Sequence, residues 1–133
     1  MSTLERAIAI ALEAHAGQED RLGHPYVLHP LRVMLRLGTD AERVAGVLHD
    51  VVERSPTWPL WRLAGEGFSP EIVDAVDALS RRAGEEYGAY IGRAAANDLA
   101  RRVKIADLED KVASAGPDAD TAKYRQALAL LGA

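Results

Sequence analysis

The sequence predicts an all-α domain. Apolar residues recur at helical intervals of three and four along most of the chain, strand-like alternation does not survive in any window longer than four residues, and short polar turns separate the periodic segments. In the first segment Leu4, Ile8, Ala11 and His15 share one face, with Ser2 or Thr3 as cap and Gly17 as stop. A polar turn over residues 18–23 follows. Pro25 and Pro30 then bracket Tyr26 and His29, and Leu31, Met34 and Leu35 mark a helix ending at Gly38. Because a residue before proline avoids the helical region and proline favours the first helical position, His29 is expected at the cap of that helix.

Thr39 with Glu42 reads as a capping box opening a third helix, whose inward stripe is Val44, Val47, Leu48 and Val51 and which ends near Ser55-Pro56. Residues 57–64 form a short helix in which Trp58 and Trp61, three apart, are read as packing residues. Ser69-Pro70 opens the next, carrying Ile72, Val73, Val76 and Leu79. Beyond Gly84, residues 85–95 have a weaker apolar face of Tyr87, Tyr90 and Ile91. Residues 97–114 turn Leu99, Val103 and Ala106 inward, Gly116-Pro117 breaks that helix, and Asp118 begins a last one containing Tyr124, Ala127, Leu128 and Leu131. Eight helical segments joined by short turns make a compact bundle, expected to be one domain over residues 1–133.

Composition narrows the chemistry. With no cysteine, thiol nucleophiles, zinc ribbons and iron–sulfur clusters are excluded, leaving four histidines and 20 carboxylates as ligands. A net charge of −4 argues against a general nucleic-acid binder. Residues 1–6 lack an apolar signal core, and no stretch approaches the roughly 20 apolar residues that cross a bilayer, so a cytoplasmic protein with no membrane partner is expected.

His49-Asp50 interrupts an apolar run over residues 44–52, where a charge costs free energy unless it is paired or bound to a metal. Adjacent helical residues point about 100° apart, so this imidazole and carboxylate converge on an atom beside the helix. A metal ion meets that demand; so does a hydrogen-bonded pair at the core's edge. Asp107, among apolar positions of another helix, is either a third ligand or the partner of Lys104 or Lys111. His29 is either a fourth ligand or a simple helix cap. Two nitrogens and two carboxylates suit Mn²⁺ or Fe²⁺ ahead of Mg²⁺ or Zn²⁺. His15, on the stripe with Leu4 and Ile8, reads as a buried, hydrogen-bonded histidine, and His24 as exposed.

Three blocks carry a resemblance: Ala14-His15-Ala16-Gly17-Gln18 followed by Gly23-His24-Pro25-Tyr26-Val27-Leu28-His29-Pro30-Leu31; Gly46-Val47-Leu48-His49-Asp50-Val51-Val52-Glu53; and Val103-Lys104-Ile105-Ala106-Asp107-Leu108. In order and spacing they resemble the HD-domain metal phosphohydrolases, in the branch of RelA/SpoT-type and small alarmone hydrolases. The resemblance implies that His29, His49, Asp50 and Asp107 bind a divalent ion, usually manganese. It implies a phosphorylated nucleotide as partner, with guanosine 3′,5′-bis(diphosphate) the leading substrate, attacked at its 3′-pyrophosphate by metal-activated water. Glu53, three residues after Asp50, is the candidate proton acceptor.

The chain also departs from that pattern. The family has an aspartate after the glutamate, and here Arg54 stands in its place. Of two basic residues after the Gln18 block only the second is basic, in Asp20-Arg21, and an asparagine after the Asp107 block appears as Lys111. Arg21, Arg54, Lys104 and Lys111 are the candidate phosphate contacts, with Lys104 favoured, one turn from Asp107. Arg101 and Arg102 read as a solvated face. Tyr26 is placed either to stack on a purine or to pack on the first helix. The alternatives are another nucleotide phosphomonoesterase of the superfamily, and a nucleotide-sensing domain impaired in turnover by Arg54.

Overall fold

The computed structural model describes residues 3–133, so Ser2 lies outside the described residues. Nine helical segments follow in order among them: α1 (Leu4–Ala14), α2 (Leu28–Leu35), α3 (Asp40–Leu48), α4 (Val51–Arg54), α5 (Leu60–Ala64), α6 (Pro70–Ala78), α7 (Tyr87–Ala95), α8 (Asp98–Ser114) and α9 (Ala122–Leu130). No strand occurs among the described residues. A single isolated bridge pairs Glu19 with Pro25 and closes the turn between α1 and α2. No helix there is long and apolar enough to cross a membrane.

Most boundaries follow the local chemistry. Thr3 accepts the Arg6 N–H at the start of α1, Thr39 and Glu42 form a reciprocal capping box, Ser69 precedes Pro70 at the first position of α6, and Asn97 caps α8. Gly17, at φ +78°, turns the chain out of α1. Three expectations need correction. The third helix is interrupted at His49-Asp50, because the His49 Nδ1–H donates to the Gly46 carbonyl at 2.6 Å and competes with the backbone ladder, which resumes as α4. His29 is not a cap. Leu28 and His29 donate to the carbonyls of Pro25 and Tyr26, so α2 starts earlier and Pro30 falls in its first turn, where a missing N–H costs no intrahelical bond. The last helix begins only at Ala122, whose N–H is taken by Asp120 Oδ1.

Helix α3 is the hub, packed on α1, α2, α6 and α8. Its Val44, Val47 and Leu48 share a core with Ala7, Ile10 and Ala11 of α1 and with Trp58, Leu63 and Phe68. On its other side Ala45 meets Val33, Leu37, Leu79 and Val103. Gly46 allows the close approach of α2: a Cβ there would stand 2.7 Å from Leu37 Cδ1. Of the two tryptophans only Trp58 packs. It precedes α5 and is fully buried under the Arg62 guanidinium, whereas Trp61 is 76% exposed. Since Trp58 lies outside the helix, the three-residue spacing does not put both rings on one face.

The loop from α6 to α7 is pinned by charge. Arg93 grips both carboxylate oxygens of Glu85, at 2.7 and 2.8 Å, and donates to the Asp77 and Ser80 carbonyls. Glu53 Oε1 accepts the Arg81 N–H of the same loop at 2.7 Å.

Replacing Trp58 by alanine should cost about 3–5 kcal/mol in denaturant unfolding through the cavity it leaves, whereas Trp61→Ala should stay within about 0.5 kcal/mol of the parent. The bond to Arg93 holds the Glu85 carboxyl down at about 2. A carboxylate depressed on folding stabilises above its unfolded pKa and loses that contribution as pH falls through the folded value. Glu85→Gln should therefore unfold more easily than the parent at pH 7, and the difference in urea midpoint should shrink as pH falls toward 2 and through it.

Candidate metal centre

Four side chains from α2, α8 and the break between α3 and α4 converge. His29 Nε2 lies 2.8 Å from Asp107 Oδ1 and 3.7 Å from Asp50 Oδ2; His49 Nε2 lies 3.2 Å from Asp50 Oδ2 and 3.3 Å from Asp107 Oδ1. Donor atoms of His29, His49 and Asp50 all fall within 4.8 Å of one another, and Asp107 Oδ1 approaches the two histidine Nε2 atoms, at 2.8 and 3.3 Å. All four residues are buried. Ligands about 2.0–2.2 Å from a cation and at right angles stand roughly 3 Å apart, which is the spacing of these edges.

The decisive atom is His49 Nε2. It is buried without a hydrogen-bond partner, although Asp50 Oδ2 and Asp107 Oδ1 lie 3.2 and 3.3 Å away. Its Nδ1–H is committed to the Gly46 carbonyl, so Nε2 is the nitrogen that faces the carboxylates. A buried lone pair directed at two buried anions is repulsive unless a proton or a cation lies between them. These donors therefore fit a divalent ion.

The electrostatics follow from the crowding. Burial would lower the pKa of His49, but the Asp50 and Asp107 carboxylates push it up to about 10. Burial lowers His29 too, and its bonds to Asp107 and Asp110 outweigh that and raise it. Desolvation works against the charged form of Asp50, yet His49 beside it holds the carboxyl well below the usual range. Asp107 is likewise desolvated and held well below its ordinary value by Lys104, Lys111 and His49.

Further polar groups hold the members of the cluster. The Tyr26 hydroxyl donates to Asp50 Oδ2. Lys104, 3% exposed, donates to Asp107 Oδ2 at 2.8 Å and to the Tyr90 hydroxyl at 3.0 Å, while Lys111 Nζ lies 3.5 Å from Asp107 Oδ1. Asp107 is thus both partner to the two lysines and member of the cluster. His29 Nδ1 meets Asp110 Oδ2 at 2.8 Å, and Asp110 in turn accepts from Arg32. Asp110, Arg32 and Tyr90 escape a reading of the sequence. Asp110 lies three residues after Asp107 and Arg32 three after His29, so each pair shares a helix face, but only the packing of α2 on α8 brings the faces together.

A cleft of about 770 Å³ opens above the cluster, with His29 and Asp50 in its wall. Arg21, Tyr26, Glu53, Arg54 and Lys111 also line it, and so does Arg32. Lys104 does not: it is buried behind Asp107 and supports that carboxylate rather than facing the cleft. Tyr26 offers no free ring face on the side of Arg54, whose guanidinium lies 3.6 Å from its centroid. Arg54 Nε also donates to Gln18 Oε1, and Gln18 Nε2 donates back to the Arg54 carbonyl. His15 is buried, bonded through Nδ1 to the same Gln18 oxygen, and His24 is exposed beside Asp20. Arg102 pairs with Glu42, and Arg101 reaches the Leu131 carbonyl.

No protein-family model matches the chain. It is 34% identical over 117 residues, 83% of its length, to a probable GTP pyrophosphokinase of Mycobacterium leprae. It is 33% identical over 82 residues, 59% of its length, to a guanosine-3′,5′-bis(diphosphate) 3′-pyrophosphohydrolase of Aquifex aeolicus. The chain spans only 12–14% of the length of these relatives. Among solved structures it overlays with TM-score 0.71 on a metazoan SpoT ortholog described as hydrolysing ppGpp, covering 98% of this chain and 82% of that one at 21% identity, a likeness of fold. In sequence the chain is thus similar to a short part of RelA/SpoT-type enzymes, and in fold to the metazoan SpoT ortholog.

Proposed function

We propose that the chain is a metal-dependent phosphohydrolase that releases pyrophosphate from the 3′ position of guanosine 3′,5′-bis(diphosphate), with Mn²⁺ as its ion. The observation that carries this reading is the unpartnered, buried His49 Nε2 set among His29, Asp50 and Asp107 beneath a cleft whose wall carries Arg21, Arg32, Arg54 and Lys111 along with the carboxylates Glu19, Asp20, Glu53, Asp118 and Asp120. A divalent ion bound there supplies positive charge at the phosphoryl oxygens and acidifies the attacking water. His29, His49, Asp50 and Asp107 hold it. Tyr26 and Lys104 orient the two carboxylates by their hydrogen bonds. Arg21, Arg54 and Lys111 offset the charge of the polyphosphate from the cleft wall. Glu53, in the wall one turn beyond Asp50, accepts the proton of the attacking water. The names of the relatives support the substrate, and a cleft of about 770 Å³ falls within the usual range of nucleotide-sized sites.

A second reading is favoured by Arg54, which stands where the family carries an aspartate and is held by Tyr26 and Gln18. In that reading the chain binds the nucleotide without turning it over.

Purified chain with Mn²⁺ should release pyrophosphate from guanosine 3′,5′-bis(diphosphate), followed by a coupled phosphate assay, and both Asp50→Ala and chelation should abolish release; turnover that survives Asp50→Ala would sink the metal assignment. The sensor reading predicts instead that the native chain binds the nucleotide in equilibrium dialysis with no release, and that Arg54→Asp gains an activity the parent lacks. Robust native turnover rules it out.

A further inference from the structure

Asp110 takes no part in the cleft wall, yet it is only 2% exposed. Its Oδ2 lies 2.8 Å from His29 Nδ1, and Arg32 Nε donates to Oδ1 and Oδ2 at 2.9 and 3.1 Å, with Arg36 Nε 3.8 Å from Oδ1. The opposite nitrogen of the same ring, Nε2, faces Asp107 Oδ1 at 2.8 Å. An ionised carboxylate can only accept, so the bond to Asp110 requires the proton on Nδ1. By the same rule the Nε2 contact with Asp107 calls for a proton or a cation on that nitrogen, so a cation taken up on the side of Asp50, His49 and Asp107 would replace the Nε2 proton while Asp110 keeps the one on Nδ1. His49 keeps its own Nδ1 proton by a local route, through the Gly46 carbonyl three residues back. His29 uses a carboxylate 81 residues away in sequence.

We propose that Asp110, held by Arg32, is a positioning residue that fixes His29 as the Nδ1–H form and turns Nε2 toward a bound divalent cation; the assignment rests on the metal-centre reading above. The rival role is an α2–α8 ion pair that serves stability alone. The two roles separate because Arg32 can be removed while the carboxylate–imidazole bond stays.

The test is Mn²⁺ titration calorimetry on the full chain and on Asp110→Ala, Asp110→Asn and Arg32→Ala, each paired with its urea midpoint. Affinity should fall about 10- to 100-fold in Asp110→Ala. It should fall several-fold in Asp110→Asn, which keeps one acceptor oxygen for the ring N–H, and least in Arg32→Ala. Wild-type affinity in Asp110→Ala, or a loss in Arg32→Ala as large as in Asp110→Ala, overturns the proposal and leaves only the ion pair. If the alanine variant does not fold, Asp110→Asn decides: a several-fold loss upholds the assignment and an unchanged affinity overturns it. A native chain that takes up no Mn²⁺ overturns the metal centre itself, which distinguishes that failure from failure of Asp110 alone.

Discussion

Two imidazoles and two carboxylates occupy a largely buried space at the junction of α2, α8 and the break between α3 and α4. Buried charge on this scale is tolerated only when every group is paired or shares a cation. The surrounding architecture answers that demand. Lys104 and Tyr90 stand behind Asp107, Tyr26 caps Asp50, the Gly46 carbonyl takes one imidazole proton and Asp110 the other. Removing any one of these groups leaves its partner with an unsatisfied polar atom in low dielectric, which is why the cluster and the helix packing are not separable problems.

Backbone proximity makes the arrangement possible. Gly46 lets α2 lie against α3 closely enough for the His29 and His49 rings to sit 5.3 Å apart, edge to face. The break after Leu48 then aims two adjacent residues at the same space. A regular helix would spread them about 100° apart around its axis, and the His49 side chain, turned back to the Gly46 carbonyl, loosens that geometry. The apolar faces of α3 hold the loosened segment in place: Leu48 and Val51, on either side of the break, are fully buried.

Much of this was legible in the sequence, for identifiable reasons. Helical periodicity, the Thr39–Glu42 capping box, Ser69-Pro70 and Gly17 are local signals, and the helices they mark form where expected. The polar pair His49-Asp50 in an apolar run was conspicuous because burial without compensation is expensive. What stayed hidden depends on which helices meet. Lys104 looks from its spacing like a group near the site, which it is, but only packing shows that it faces the back of Asp107 and not the cleft. Trp61 looks like core beside Trp58 because spacing cannot tell that α5 starts between them. Asp110 and Arg32 are unremarkable charged residues until α2 and α8 are brought together.

The bond between His29 and Asp107 joins residues 78 positions apart. In an unfolded chain that separation makes the two groups strangers, and the entropy of closing so long a loop keeps them so. A cation held by this quartet is therefore held by the native state alone, and its binding free energy adds in full to the free energy of folding. On the proposed metal reading the centre would double as a clasp: the concentration of free ion would set how firmly the bundle stays closed, and the protein's durability would become a reading of the metal supply around it.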